Sequence, residues 1–375
     1  MNNNNIRVGN LFGIPFYVNP SWFLVLGLVA VSYGRQLALF PQLVGIIPWI
    51  LGFLAALLLF FSVVVHELGH SFVALSQGIN VNSITLFLFG GLASLEKESE
   101  TPLESFLVAI AGPTVSLVLF AILNLIKVNF SFSEPITAII SLLTSINLIL
   151  GLFNLIPGLP LDGGNILKAL VWKITGNPNK GIIFASRVGQ VFGWLAVFIG
   201  GLAILGISPI GNFWTLLIGF FLLQNAVFSG QSARFQETLS GYTAKDAIIP
   251  YSPVVLDSFN LREFVNNYVI GKRKWKIFLI TNEEGKLSGI LELNTLNKVS
   301  TSQWTELKIS EIMQPINDSV TMIEADKSLL EVVKILENNP RQQLTVIHKN
   351  GIILGLLEKA SIIKFLQEQT QAKAA

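Results

Sequence analysis

The fold of this chain is decided by the stretch Ser62-Val63-Val64-Val65-His66-Glu67-Leu68-Gly69-His70-Ser71-Phe72, in which two histidines and a glutamate interrupt an apolar run. Residues 47–65, which lead into the two histidines, contain no charged side chain. A helix that crosses a bilayer needs about 20 consecutive apolar residues, so this run predicts a transmembrane helix. Ionisable side chains at membrane depth are energetically expensive and usually functional. The sequence therefore indicates a chemical site inside the membrane.

The spacing of the two histidines is suited to binding one metal ion. His66 and His70 are four residues apart and lie on the same face of a helix. Two imidazoles at this spacing can share a metal, and Glu67 beside them can act as a general base. A catalytic zinc takes a third protein ligand and keeps one position open. Because the chain has no cysteine, we expect that third ligand to be a carboxylate.

One carboxylate is well placed to complete such a site. Asp162 follows an apolar run that ends in Asn154-Leu155-Ile156-Pro157-Gly158-Leu159-Pro160-Leu161 and precedes two glycines. Proline removes backbone donors and glycine permits close backbone approach, so this segment can bring Asp162 sideways into a helix bundle. Asp162 could instead cap the N-terminus of a helix over residues 166–171. The spacing alone leaves both interpretations open.

The composition divides the chain into two unlike parts. Residues 1–234 hold 9 of the 25 Lys and Arg residues and 7 of the 23 Asp and Glu residues. We therefore expect a polytopic α-helical membrane domain over residues 1–234, followed by a soluble α/β module. The net charge of +2 argues against a nucleic-acid partner.

The apolar runs predict about six transmembrane helices, over residues 20–33, 44–77, 103–126, 136–158, 183–206 and 210–229. Cytoplasmic loops of membrane proteins are enriched in Lys and Arg. A cytoplasmic N-terminus places seven basic residues of the membrane domain inside and two outside. We therefore expect an integral protein of the cell membrane with its N-terminus and its soluble module in the cytoplasm. In this topology the histidine pair and Asp162 lie on the same side.

Residues 81–95 are rich in strand-forming residues around Gly90-Gly91 and predict a short β hairpin. The hairpin is too short to cross the membrane and lies close in sequence to the histidine pair. An open strand edge there could pair with an extended peptide. A re-entrant packing element is equally consistent with the pattern.

Four motifs together resemble the site-2 protease family of intramembrane zinc metalloproteases over residues 6–230. They occur in the family's order: His66-Glu67-Leu68-Gly69-His70, Phe89-Gly90-Gly91, Ala111-Gly112-Pro113 and Asn154-x-x-Pro157-x-x-Pro160-Leu161-Asp162-Gly163. The resemblance implies one Zn²⁺ per chain with three protein ligands, which are His66, His70 and Asp162. It also implies that Glu67 is the catalytic base and that Asn154 positions the substrate or the developing oxyanion.

The resemblance further implies a single-span transmembrane protein as substrate, cleaved within its membrane segment. A transmembrane helix hides its carbonyl groups in internal hydrogen bonds, so the substrate must unwind locally before it is cut. Pairing with a strand near the site would replace those bonds. For this role we expect the strand residues Leu86, Phe87, Leu88 and Phe89.

The sequence pattern of the soluble part occurs twice. This repeat resembles a tandem pair of CBS (cystathionine β-synthase-type) domains, over residues 240–300 and 305–371. Such pairs often bind adenine nucleotides through a Thr or Ser and an Asp near the last strand. Glu292 and Thr295 occupy those positions in the first copy, and Glu358 and Ser361 occupy them in the second. Both copies lack the Asp, which argues against a nucleotide. We therefore expect a regulatory module, or one through which two chains form a homodimer.

A CBS-regulated transporter or channel with a His/Asp ion site is the alternative function. Such a protein has no need of a glutamate beside a histidine pair, and transporters usually show internal repeats in the membrane domain. The membrane half of this chain has no recognisable repeat, which favours the protease.

Overall fold

The computed structural model describes residues 5–88, 90–249, 252–271, 275–315, 322–338 and 343–374. The chain divides into two compact units, Met1–Arg234 and Phe235–Ala375. Elements of the first unit are β1 Ile6–Leu11, β2 Ile14–Val18, α1 Pro20–Leu37, α2 Ile47–Ser76, β3 Val81–Phe87, β4 Gly90–Leu95, α3 Pro102–Asn129, α4 Glu134–Asn154, α5 Asp162–Thr175, α6 Pro178–Ile204 and α7 Phe213–Ser240, the last of which runs into the second unit.

Five helices in the described part of the chain, α2, α3, α4, α6 and α7, are long and apolar enough to cross a membrane. Each corresponds to one of the predicted spans. The first predicted span, residues 20–33, corresponds to α1, a helix of 18 residues that is not among these five. Pro48 lies in the first turn of α2, where a missing N–H costs nothing, and therefore does not kink the helix. The predicted polytopic α-helical fold is confirmed.

Local sequence signals set the helix starts. The Asn19 side chain accepts a hydrogen bond from the Ser21 N–H at the start of α1. A capping box between Thr101 and Glu104 begins α3, with Pro102 in the first turn. These side chains satisfy N–H groups that have no partner within the helix.

Strands β1 to β4 form one sheet in that order. The β1–β2 and β3–β4 pairs are antiparallel, whereas β2 and β3 are parallel. The predicted hairpin is thus the second half of a larger sheet. Ile84 and Leu86 of β3 are buried in one core cluster with Val64 and Leu68 of α2. The sheet therefore packs on the segment of α2 that carries the histidine pair.

Glycines let the membrane helices approach closely. A Cβ added at Gly52 of α2 would lie 2.6 Å from the Ala30 carbonyl oxygen of α1. A Cβ at Gly69 would lie 3.1 Å from the Ala111 carbonyl oxygen of α3. Small residues at such crossings allow backbone contact between transmembrane helices. The contact at Gly69 fixes α3 against the histidine pair.

The second unit contains two copies of the same strand order. The first copy contains β5 Val254–Leu256, α8 Leu261–Phe264, β6 Ile277–Thr281 and β7 Leu287–Glu292, followed by α9 Ile309–Ile312 and β8 Gln314–Pro315. The second contains β9 Met322–Glu324, α10 Leu329–Asn338, β10 Gln343–Ile347 and β11 Ile353–Glu358, followed by α11 Lys359–Ala374. In each copy the first strand pairs parallel with the second, which pairs antiparallel with the third. The two copies share a cluster of buried residues that includes Leu279 and Leu356. This mixed α/β architecture is the one that the sequence predicted.

Candidate metal centre and active site

His66 and His70 meet in the interior of the first unit. Their side chains come from adjacent turns of α2, and the two residues are 3% and 8% exposed. The two Nε2 atoms are 3.2 Å apart. The spacing of four residues therefore brings the two imidazoles together, as the sequence predicted.

Asp162 joins the histidine pair from a different part of the chain. Its Oδ2 atom lies 3.1 Å from His66 Nε2 and 3.3 Å from His70 Nε2. The residue that caps α5 is Leu161, and no side-chain cap hydrogen bond is present. The interpretation of Asp162 as a helix cap is therefore wrong, because its carboxylate turns to the imidazoles.

Two glycines allow α5 to begin at this point. A Cβ at Gly163 would lie 2.4 Å from the Ile156 carbonyl oxygen, and a Cβ at Gly164 would lie 2.2 Å from the Leu159 backbone nitrogen. The first turn of α5 thus packs directly on the segment that links it to α4. Any larger side chain at Gly163 or Gly164 would push α5, and Asp162 with it, away from the histidines.

The three converging atoms fit a zinc ion. Among the described residues, His66, His70 and Asp162 form the group of three or more metal-ligating side chains that could hold an ion. Ligands about 2.0–2.1 Å from a tetrahedral zinc lie about 3.3 Å apart, which matches the observed separations of 3.1 to 3.3 Å. His70 Nδ1 lies 2.6 Å from the Val108 carbonyl oxygen. That oxygen can only accept, so Nδ1 carries the hydrogen and the lone pair of Nε2 faces the site.

Gly112 of α3 leaves the space in front of the two imidazoles open. A Cβ at this position would lie 2.2 Å from His70 Nε2 and 2.6 Å from His66 Nε2. The structure places this glycine next to the Nε2 atoms of both histidines, and the Ala111-Gly112-Pro113 motif is the signal that marks it.

Glu67 lies beside the converging atoms without being one of them. A Cβ at Gly91 of β4 would lie 2.4 Å from Glu67 Cγ, so the Gly-Gly turn of the hairpin makes room for this carboxylate. Glu67 lines the same cavity as the three candidate ligands. Glu67 therefore lies close to the candidate ligands without being part of the converging group.

The site opens into a cavity of ≈ 500 Å³. Asn154, the last residue of α4, lines it. Sequence reasoning missed Asn225 of α7 and Lys168 of α5, which also line it. The signal for Asn225 was an amide inside an apolar run. Lys168 Nζ forms an ion pair with Glu98 at 3.0 Å, and its side chain is 13% exposed.

The outer strand of the sheet near the site is β4, not the strand that the sequence suggested. Leu86 in β3 pairs with Val18 on one side and Gly91 on the other, so the backbone around Leu86 and Phe87 is already engaged. The Leu88 N–H donates to Ser21 Oγ, and Phe89 lies outside the described residues. In the described part of the sheet, β4 is the outer strand next to β3. Leu92 of β4 is 62% exposed and lines the cavity.

Comparison with known proteins decides the family. The model described as "Peptidase family M50" matches residues 54–139 and 125–196. A protein of Synechocystis sp. that is named as a zinc metalloprotease is 60% identical over 365 residues, which are 97% of this chain and 96% of that protein. This chain belongs to peptidase family M50. It is an integral membrane zinc metalloprotease, and its predicted resemblance to the site-2 proteases is confirmed. The transporter alternative is thereby removed.

Two solved structures resemble parts of this M50 peptidase. The site-2 protease from Methanocaldococcus jannaschii is 28% identical, covers 60% of this chain and 95% of its own, and gives a TM-score of 0.45. A CBS domain-containing protein from Bacillus anthracis str. Ames Ancestor is 15% identical, covers 36% of this chain and 98% of its own, and gives a TM-score of 0.29.

Proposed function

We propose that this M50 peptidase is an intramembrane endopeptidase that cuts a transmembrane segment of a single-span, membrane-anchored protein. His66, His70 and Asp162 hold the zinc ion, and Glu67 is the catalytic base. The observation that carries the proposal is the convergence of three acceptor atoms within 3.3 Å of one another. When both imidazoles are neutral with their hydrogens on Nδ1, two Nε2 lone pairs and a carboxylate oxygen meet at this point and can bind one cation.

Zinc, when bound, supplies a Lewis acid that acidifies water and polarises the scissile carbonyl. Glu67 takes the proton of the attacking water and passes it to the leaving amine. Asn154 has an amide N–H that can donate to the oxyanion as charge develops there. Both side chains line the cavity that holds the candidate ligands, so both are within reach of a substrate bound there.

The substrate reaches this cavity as an extended segment. Its unwound backbone must exchange helical hydrogen bonds for others, because an unpaired peptide group costs several kcal/mol in an apolar environment. The outer edge of β4 is the place in the sheet where an extended segment could find such partners by strand addition. Exposed Leu92 next to the cavity provides apolar contact for a transmembrane sequence.

The CBS-like unit regulates access to the cavity in this proposal. Helix α7 runs without interruption from Phe213 to Ser240. Phe221 and Asn225 of this helix line the active-site cavity. Leu239, one residue before its end, is 1% exposed in a core cluster of the second unit. A change in the second unit that acts on this end of α7 would therefore act on a helix that also lines the cavity.

A Glu67→Gln variant tests the proposed mechanism. We expect the variant to keep about one zinc per chain and to lose proteolysis, because the base is not a ligand. The membrane proteome of a Glu67→Gln strain should contain a single-span protein that accumulates relative to wild type. Glu134→Gln, which changes an exposed carboxylate in the first turn of α4, is the matched control and should show no accumulation. A Glu67→Gln variant that loses zinc or still cleaves would show that Glu67 has another role.

A further inference from the structure

Helix α3 presents three residues to the two imidazoles at intervals of four. The Val108 carbonyl oxygen lies 2.6 Å from His70 Nδ1, and Ser116 Oγ lies 2.9 Å from His66 Nδ1. Gly112, between them, gives the space in which the Nε2 atoms meet. One face of α3 therefore lies along both imidazole rings: Val108 and Ser116 contact the Nδ1 atoms, and Gly112 faces the Nε2 atoms.

The two imidazoles are held by chemically different partners. His70 is held by a backbone carbonyl, which no substitution removes. His66 is held by a hydroxyl, and Ser116 is 0% exposed. We propose that Ser116 is a positioning residue that holds His66 in the tautomer and ring orientation needed to bind zinc. This inference rests on the proposed role of His66 as a ligand.

The physical reason is the proton of the imidazole. Zinc takes the Nε2 lone pair of a neutral histidine, so the hydrogen must sit on Nδ1 and needs an acceptor. His66 is 3% exposed, so water does not replace a missing partner. Without Ser116, the favoured tautomer carries the hydrogen on Nε2 and donates it to Asp162 Oδ2, which is 3.1 Å away. The loss of the hydroxyl therefore acts against the zinc-bound state and much less against the zinc-free fold.

The test measures zinc affinity of the full-length protein in detergent by chelator competition. Partners of metal-bound histidines typically contribute 10–100-fold to metal affinity, and we expect Ser116→Ala to weaken zinc by about that factor. Ser116→Thr keeps a hydroxyl at this position, and its zinc affinity should stay within about 3-fold of wild type. Thr144→Val is the matched control. Thr144 is 6% exposed, and its hydroxyl donates only to the Ile140 carbonyl of its own helix, at 2.7 Å.

Cobalt substitution adds a readout that does not depend on activity. In Ser116→Ala we expect the visible absorption bands of bound Co²⁺ to change in position or intensity, because the His66 ring is reoriented. Thr144→Val should keep the wild-type spectrum.

The outcomes separate this inference from the proposed function. Wild-type zinc affinity in Ser116→Ala, together with loss of zinc in His66→Ala, would overturn the positioning role and leave the ligand assignment intact. A Ser116→Thr variant as weak as Ser116→Ala would also overturn it, because the hydroxyl would not be the cause. Retention of zinc by His66→Ala would instead contradict the ligand assignment itself.

Discussion

Gly112 and Gly91 leave space that three side chains of the candidate site occupy. The first faces the Nε2 atoms of both histidines, and the second faces Glu67. The histidine pair was predictable because two residues four apart on a helix lie on the same face, about one turn from each other. Ser116 was not predictable, because a serine within an apolar helix has no spacing that ties it to His66, which lies 50 residues away.

A Gly112→Ala variant should lose zinc. The added methyl group would lie 2.2 Å from one imidazole nitrogen and 2.6 Å from the other, where no neighbour can yield without moving a ligand. We expect the zinc content to fall from about one per chain to near zero by metal analysis of the purified protein. Gly201→Ala in α6 is the control, since a Cβ there has no heavy atom within 4 Å. A Gly112→Ala variant that still binds about one zinc per chain would contradict the placement of this glycine next to the two imidazole nitrogens.

At the level of elements, the sequence predicted the hydrophobic helices well and the sheet only in part. Each transmembrane run is long and apolar, so length alone identifies it. Strands β1 and β2 were missed because they are short. The parallel pairing of Phe16 with Ile84 joins segments far apart in the chain, and no local pattern encodes it. Missing this pairing moved the expected free edge to β3, whereas β2 occupies that side and leaves β4 outermost.

Substrate that adds to β4 should be captured by a probe on that strand. A photo-crosslinking amino acid at Leu92, introduced into the Glu67→Gln variant so that substrate is held uncut, should crosslink to a single-span membrane protein. The control is the same probe at Val8 on β1, the opposite edge of the sheet. Leu92 and Val8 are both 62% exposed, so exposure cannot explain a difference. Gel electrophoresis and mass spectrometry identify the product, and equal crosslinking at both positions would contradict docking on β4.

At the level of the whole molecule, the distribution of Lys and Arg among the loops predicts the topology. Basic residues favour a cytoplasmic N-terminus, which puts Ser131, between α3 and α4, outside the cell and Glu283, in the turn between β6 and β7, inside. Because the chain has no cysteine, Ser131→Cys and Glu283→Cys each create a single labelling site. A membrane-impermeant maleimide should label the first variant in intact cells and the second only after permeabilisation. The reverse pattern would show the opposite orientation.

The second unit should bind adenine nucleotides weakly. Glu358 accepts a hydrogen bond from the Gln343 side chain, and the Ser361 hydroxyl accepts from the Glu358 N–H and donates to the Glu358 carbonyl, so both polar groups are already engaged. A carboxylate near a phosphate costs on the order of 1 kcal/mol at a surface dielectric. The absent Asp removes a charge-assisted bond to the ribose worth roughly 1.5–3 kcal/mol. Together these losses move a micromolar site toward the millimolar range. Calorimetry of the full-length protein with ATP, ADP and AMP measures this directly, and a low-micromolar dissociation constant for any of them would mean that Glu292 and Glu358 do not exclude the anion.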